Sequence, residues 1–157
     1  MKIKIIALGK IKEHSLTSLI DEYKKRISKY VNVEIIEIKE ANLKSLSDKD
    51  ICNALEEEAI EINKYIKKDD YVIPLTIEGK SLDSVTFAND LESVFSFGKD
   101  IIFIIGSSYG LSDEIKNRGN LNLSFSKMTF PHQLMRLILL EQLFRAFKII
   151  HHETYHK

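Results

Sequence analysis

Apolar residues along this chain come in two rhythms that take turns. Short isoleucine-rich runs at Ile3 to Leu8, Val33 to Ile38, Tyr71 to Ile77, Ile101 to Ile105 and Leu121 to Phe125 read as strands. The first and fourth are apolar almost throughout, which suits strands covered on both faces of a parallel sheet. Between them lie amphipathic stretches with helical spacing. Leu16 to Tyr30 carries Leu16, Leu19, Ile20, Tyr23 and Ile27 on one stripe, and Asp48 to Ile66 does so with Ile51, Leu55, Ala59, Ile62 and Ile66. Ser47 with Asp50 gives the second of these an acidic capping signal. Val85 to Phe97, a short helix from Asp113 and a long one from Pro131 complete the series. Strands alternating with helices imply right-handed crossovers, hence an α/β fold with an open, mostly parallel sheet and helices on both faces. No repeat or linker interrupts the pattern, so residues 1–157 are expected to form a single domain.

The last helix departs from the ordinary amphipathic pattern. Projected at 100° per residue, Glu141, Arg145 and Lys148 form a polar stripe. Leu140, Leu143, Phe147 and Ile150 lie opposite, widened by Leu139, Ala146 and Met135. That arc is broader than one sheet face requires, which predicts burial on more than one side, the second cover being a partner subunit. Arg136 falls in the middle of the apolar side. A guanidinium is rarely buried unpaired, so it either meets a carboxylate or phosphate at the helix start, or snorkels or pairs with an acid such as Glu141.

Composition narrows the function classes. The chain has 157 residues, enough for one well-buried core, and 23 basic side chains balance 23 acidic ones. A nucleic-acid partner would therefore have to be met by a local patch or by shape, not by global attraction. Cys52 stands alone, which excludes an internal disulfide and is expected at a core or boundary position in a reducing compartment. No run approaches the roughly 20 apolar residues that a membrane crossing needs, and a cytoplasmic protein is the expectation.

Candidate chemistry concentrates after the fourth strand and in the last 37 residues or so. Ile101 to Ile105 runs directly into Gly106-Ser107-Ser108-Tyr109-Gly110, a glycine-bracketed turn of the kind that exposes backbone donors to a ligand in α/β folds. The spacing is neither a dinucleotide fingerprint nor a P-loop, and Asp113 with Glu114 would repel a phosphate there. His132, in the first turn of the last helix, is a structural residue or a support to a site; the histidines lack metal-ligand spacing and no metal is expected. Tyr155-His156-Lys157 combines a stacking ring, a titratable imidazole and a cation, either a frayed end or a flap over an RNA substrate.

Taken together, several ungapped motifs are familiar. They are MKIKIIALGK at the start, Glu22-Tyr23, Val72-Ile73-Pro74-Leu75 followed by Gly79-Lys80, and Phe103-Ile104-Ile105-Gly106. The strongest are Leu123-Ser124-Phe125-Ser126-Lys127-Met128-Thr129-Phe130-Pro131-His132, Glu141-Gln142-Leu143-Phe144-Arg145-Ala146, and Tyr155-His156-Lys157. Across essentially its whole length the sequence resembles the SPOUT-class RNA methyltransferases, and within them the small ribosomal large subunit methyltransferases that make N3-methylpseudouridine in 23S rRNA. One position departs: Ser107 stands where that family usually has the second glycine of a pair.

The resemblance implies a homodimer whose C-terminal part threads into a trefoil knot. It implies S-adenosylmethionine bound in the knot, contacted by Leu75, Gly106 and the segment Phe125, Ser126, Lys127, Met128, Thr129 and Phe130. The implied partner is 23S rRNA within the large subunit or whole ribosome, with no membrane and no metal. Transfer of a methyl group to N3 of a uracil ring requires that the ring lose its N3 proton, for which His156, His132 or water are candidates. Arg136 or Arg145 would stabilise charge on the uracil oxygens, and Tyr155 would stack on the base. The tail is expected to act in trans across the dimer. A ribose methyltransferase of the same class, and a non-enzymatic nucleotide-binding module, are the competing expectations.

Overall fold

The computed structural model describes residues 1–156 of the chain. Its parallel strands are β1 (Lys2–Leu8), β2 (Asn32–Ile38), β3 (Tyr71–Ser81), β4 (Ile101–Ile105) and β5 (Leu123–Ser124), in the sheet order β2-β1-β4-β3-β5. The helices are α1 (His14–Ile27), α2 (Asp48–Asn63), α3 (Ser84–Ser96), α4 (Asp113–Arg118) and α5 (His132–Ile150). The two strands that are apolar throughout, β1 and β4, lie adjacent in the middle of the sheet. There they need apolar side chains on both faces.

Alternation along each strand sorts the side chains into two cores. Ile3, Ile5, Ala7, Ile73, Ile101 and Phe103 point to one face and meet Ile20 and Ile27 of α1, Phe87 and Leu91 of α3, and Leu139, Leu140 and Leu143 of α5. Ile6, Leu8, Val72, Ile102 and Ile104 point to the other and meet Ala59 and Ile62 of α2 and Ile115 of α4. Lys4 is the charged residue among the buried strand positions; its ammonium escapes the core by donating to the Tyr65 carbonyl at 3.1 Å.

Several sequence expectations need adjustment. β3 runs past Ile77 to Ser81, and β5 is only two residues long, paired at the β3 edge across an irregular register. α5 starts at His132 with Pro131 as its N-cap, while Ser47 caps α2 as expected by accepting from the Asp50 amide at 3.2 Å. Leu19, assigned to the buried stripe of α1, is exposed. Cys52 is exposed too, not at a core or boundary position; it lies on the outer face of α2, where Glu56 one turn on pushes the thiol's pKa up.

α5 owes much of its wide apolar arc to its own chain, because it lies against the sheet with α1 and α3 on either side. Leu139, Leu140, Leu143, Phe144, Ala146 and Phe147 are consumed in this way. Leu134 is left exposed, and Leu137 and Ile138 half-buried, so the N-terminal half of the helix still presents apolar surface outward. Among the described residues no helix is long and apolar enough to cross a membrane.

Candidate active site

The carboxyl ends of β3 and β4 open into a cavity of about 650 Å³, the place where open parallel sheets bind ligands. Leu75 and Ile105 form its floor, the Gly106–Gly110 turn one wall, and Phe125, Ser126, Met128, Thr129 and Phe130 the opposite wall. Pro131, His132 and Met135 at the head of α5 close one end. Leu75, Gly106 and five of the six residues expected from 125–130 therefore converge on one space. Lys127 does not; its side chain is exposed and lies off the cavity wall.

Local chemistry builds both walls. At Gly106 a β-carbon would sit 2.3 Å from the Gly110 carbonyl oxygen, so the turn can close only over glycine. Ser107 accommodates its side chain, having no left-handed backbone. In the facing segment the Ser124 hydroxyl donates to the Ile77 carbonyl at 2.9 Å, and the Met128 amide donates to the Ser126 hydroxyl at 2.9 Å. These bonds hold an irregular segment whose backbone has no ladder of its own.

Charge at the cavity is sparse and paired. Lys116 meets Glu78 at 2.6 Å on the rim, and this contact holds the Glu78 carboxyl below the usual carboxylate range. His132 places Nε2 3.2 Å from Glu40. Gly9 makes room for that pair: its φ is +79°, and a β-carbon there would lie 2.7 Å from Glu40 Oε1 and 3.3 Å from His132 Nε2. Among the described residues no three His, Cys, Asp or Glu side chains gather as a metal site.

Arg136 requires a correction. It is fully buried and lines no part of the cavity. Its guanidinium pairs with Glu37 of β2 at 2.6 Å and donates to the carbonyls of Leu8 at 2.9 Å and Gly9 at 2.5 Å. Burial pushes its pKa down and Glu37 pulls it back. A cation whose two terminal nitrogens are held by three acceptors behind the site cannot reach a substrate ring; it pins the head of α5 to the end of β1. The partner acid is Glu37, not Glu141, because Glu141 belongs to the opposite stripe and binds Arg145 at 2.6 Å.

The tail leaves the far end of α5 and turns back along the helix. Tyr155 donates to Glu141 at 3.1 Å, stacks edge-on against Phe144 at 4.9 Å and carries the Arg145 guanidinium over its ring at 4.8 Å. Burial and then Glu141 raise the phenol's pKa. His156 is exposed on the α3 side, where it adds a little to the lowering of Asp83 that the Thr86 amide mainly causes. Tyr155 is thus ordered by packing, and Lys157 lies outside the described residues. Tyr155 comes back to the level of Glu141, which at 1.5 Å per residue is about 14 Å along α5 from His132. Of the four expected catalytic residues, only His132 belongs to the cavity of its own chain.

Sequence reasoning passed over Thr76, Ile77 and Glu78, which follow Leu75 into the cavity because β3 continues beyond its apolar run. It also passed over Glu37, Glu40 and Glu58, acids that look like solvated residues until the β2 exit is folded against α5 and α2.

A cavity at parallel strand ends, with apolar and aromatic walls, exposed loop backbone and, among the described residues, no free basic cluster, has the shape and chemistry for a nucleoside-sized ligand without phosphate. The family model described as "Predicted SPOUT methyltransferase" matches residues 1–156, and the chain belongs to that family. With the family comes the α/β knot in the C-terminal part of the fold. The chain is 49% identical to the ribosomal RNA large subunit methyltransferase H of Acholeplasma laidlawii and 48% identical to that of Bacillus cytotoxicus. It is 52% identical to a Methanococcus maripaludis protein that carries the same name as a provisional assignment. In all three cases the match covers 100% of both chains.

Proposed function

We propose that this chain transfers a methyl group from S-adenosylmethionine to N3 of a pseudouridine in 23S rRNA, acting as a homodimer on the large subunit or the assembled ribosome. The supporting observation is the cavity walled by Leu75, Gly106 and the 125–130 segment. Its size suits a nucleoside ligand, and its charges are already paired, as a ligand without phosphate requires. The rRNA substrate is the one named for the full-length relatives.

When bound, S-adenosylmethionine supplies a methyl group activated on a sulfonium. The chain's own residues align and dry the site. Leu75, Ile105, Leu123 and Phe125 keep water from the floor, and the backbone of residues 106–110 and 125–130 offers the polar contacts. The uracil ring must give up its N3 proton as the methyl arrives. His156 of the tail accepts it, Tyr155 stacks on the ring, and Arg145 takes over the stabilisation of the uracil oxygens that Arg136 is too buried to give.

The tail lines no part of the cavity of its own chain, and in this reading it completes the site of a second copy. Two α5 helices packed antiparallel across a two-fold axis would bring the tail of each beside the His132 end of the other. The apolar Leu134, Leu137 and Ile138 surface suits that contact. A second reading of the proton acceptor rests on one observation: His132 already stands at the cavity wall with Glu40 behind it. Mass spectrometry of nucleosides from ribosomes treated with the enzyme and labelled donor decides the reaction. Label on N3-methylpseudouridine supports it, and label on a ribose 2′-oxygen replaces it with the ribose-methylating alternative.

A further inference from the structure

Behind the cavity a chain of hydrogen bonds links its two sides. Ser107, on the glycine-turn wall, donates its hydroxyl to Glu58 Oε2 at 3.2 Å. The other carboxylate oxygen, Oε1, accepts the amide of Ala41 at 3.0 Å. Ala41 follows Glu40, and Glu40 holds His132 at the opposite end of the cavity. Glu58 projects from α2 and is 5% exposed, touching neither the cavity nor bulk water to any extent.

A buried carboxylate is costly to keep unless its oxygens are satisfied, and it holds its partners firmly when they are. Here the partners are two irregular segments, the turn after β4 and the exit of β2, which no ladder joins to each other. We propose that Glu58 is a positioning residue for the cofactor cavity: through Ser107 and Ala41 it sets the glycine turn and the Glu40–His132 pair in register. Ser107 is required for the link, since a glycine at that position has no hydroxyl to offer. The inference deepens the proposed binding of S-adenosylmethionine and depends on it.

The alternative role for Glu58 is purely structural, in which case its loss would change unfolding and leave ligand affinity alone. A double-mutant cycle read in cofactor affinity separates the two. Calorimetry with S-adenosylmethionine would be run on the full chain, on Ser107→Ala, on Glu58→Leu, on the double variant and on Glu58→Gln, with a thermal melt of each. Unpairing a buried polar group typically costs enough for about a tenfold loss of affinity in Glu58→Leu, with a smaller loss of about threefold in Ser107→Ala. The double variant binds no more weakly than Glu58→Leu. Glu58→Gln, which can still accept from Ala41 and donate to Ser107, binds within about twofold of the unaltered chain.

Losses that simply add, an unchanged affinity in Ser107→Ala, or a Glu58→Gln variant as weak as Glu58→Leu would each overturn the proposal. Should Glu58→Leu fail to fold, Ser107→Ala and Glu58→Gln still decide it. Absence of binding by the unaltered chain would instead sink the cofactor assignment itself, an outcome recognisable before any variant is measured.

Discussion

Arg136 shows how one residue can be catalytic in appearance and structural in fact. Its charge is met by Glu37, by two backbone carbonyls and, at longer range, by Glu40. Breaking a buried pair by removing one member costs about 3–5 kcal/mol, so Arg136→Ala should show that loss in denaturant unfolding. Arg145→Ala, at a pair more than a fifth exposed, should alter stability little and methyl transfer strongly. Glu58 carries a pH signature. Burial, the largest cause, raises its carboxyl pKa. A raised acid contributes stability that is complete below its unfolded pKa and is lost as pH rises through the folded one. The thermal midpoint of the native chain should therefore fall relative to Glu58→Gln as pH climbs above the ordinary carboxylate range. A constant gap between the two melts from acid to neutral pH would contradict that sign. At His132 and His156 the assay is single-turnover methyl transfer by the Asn variants: the variant that loses the chemical step while keeping its affinity for S-adenosylmethionine identifies the proton acceptor.

At the scale of elements, the sequence disclosed what periodicity encodes and hid what only contact decides. β1 and β4 could be placed as interior strands because Ile3 to Leu8 and Ile101 to Ile105 have no polar face to expose. The Ser47 cap and the start of α4 were equally legible, since a short polar side chain before a helix has few other uses. The five-residue reading of Leu121 to Phe125 overstates β5, because its apolar content reflects core packing of Leu123 and Phe125, while pairing with β3 reaches only Leu123 and Ser124. The cavity floor and both walls were visible through motif likeness, yet Glu37, Glu40 and Glu58 were not, because a lone acid in a sequence carries no sign of what will fold against it. For the same reason the breadth of the α5 apolar arc overstated the surface left for a partner. Its inner residues belong to the monomer, and Leu143→Ala, fully buried against α1 and α3, should cost about 2–5 kcal/mol in unfolding.

At the scale of the whole molecule, the proposed trans site would make catalysis a property of two chains. Ile138→Glu on the outer face of α5 should yield a monomer, seen by light scattering, that keeps its affinity for S-adenosylmethionine and loses transfer to ribosomes. Complementation gives a sharper result. A chain carrying Tyr155→Ala and His156→Ala, mixed with a chain carrying Gly106→Val, should recover activity that neither has alone. In the mixed dimer one site combines an intact cavity with an intact tail. Continued inactivity of the mixture would return the tail to its own subunit and end the trans account. The position of α5 at the end of the chain has another consequence, for synthesis. Until residues 132–150 have left the ribosome, one side of the central strands, with Ile3, Ile5 and Phe103, has no lid from this helix. Prematurely terminated copies should accordingly be sticky and short-lived in the cell, and translation pauses late in the message should be more harmful than early ones.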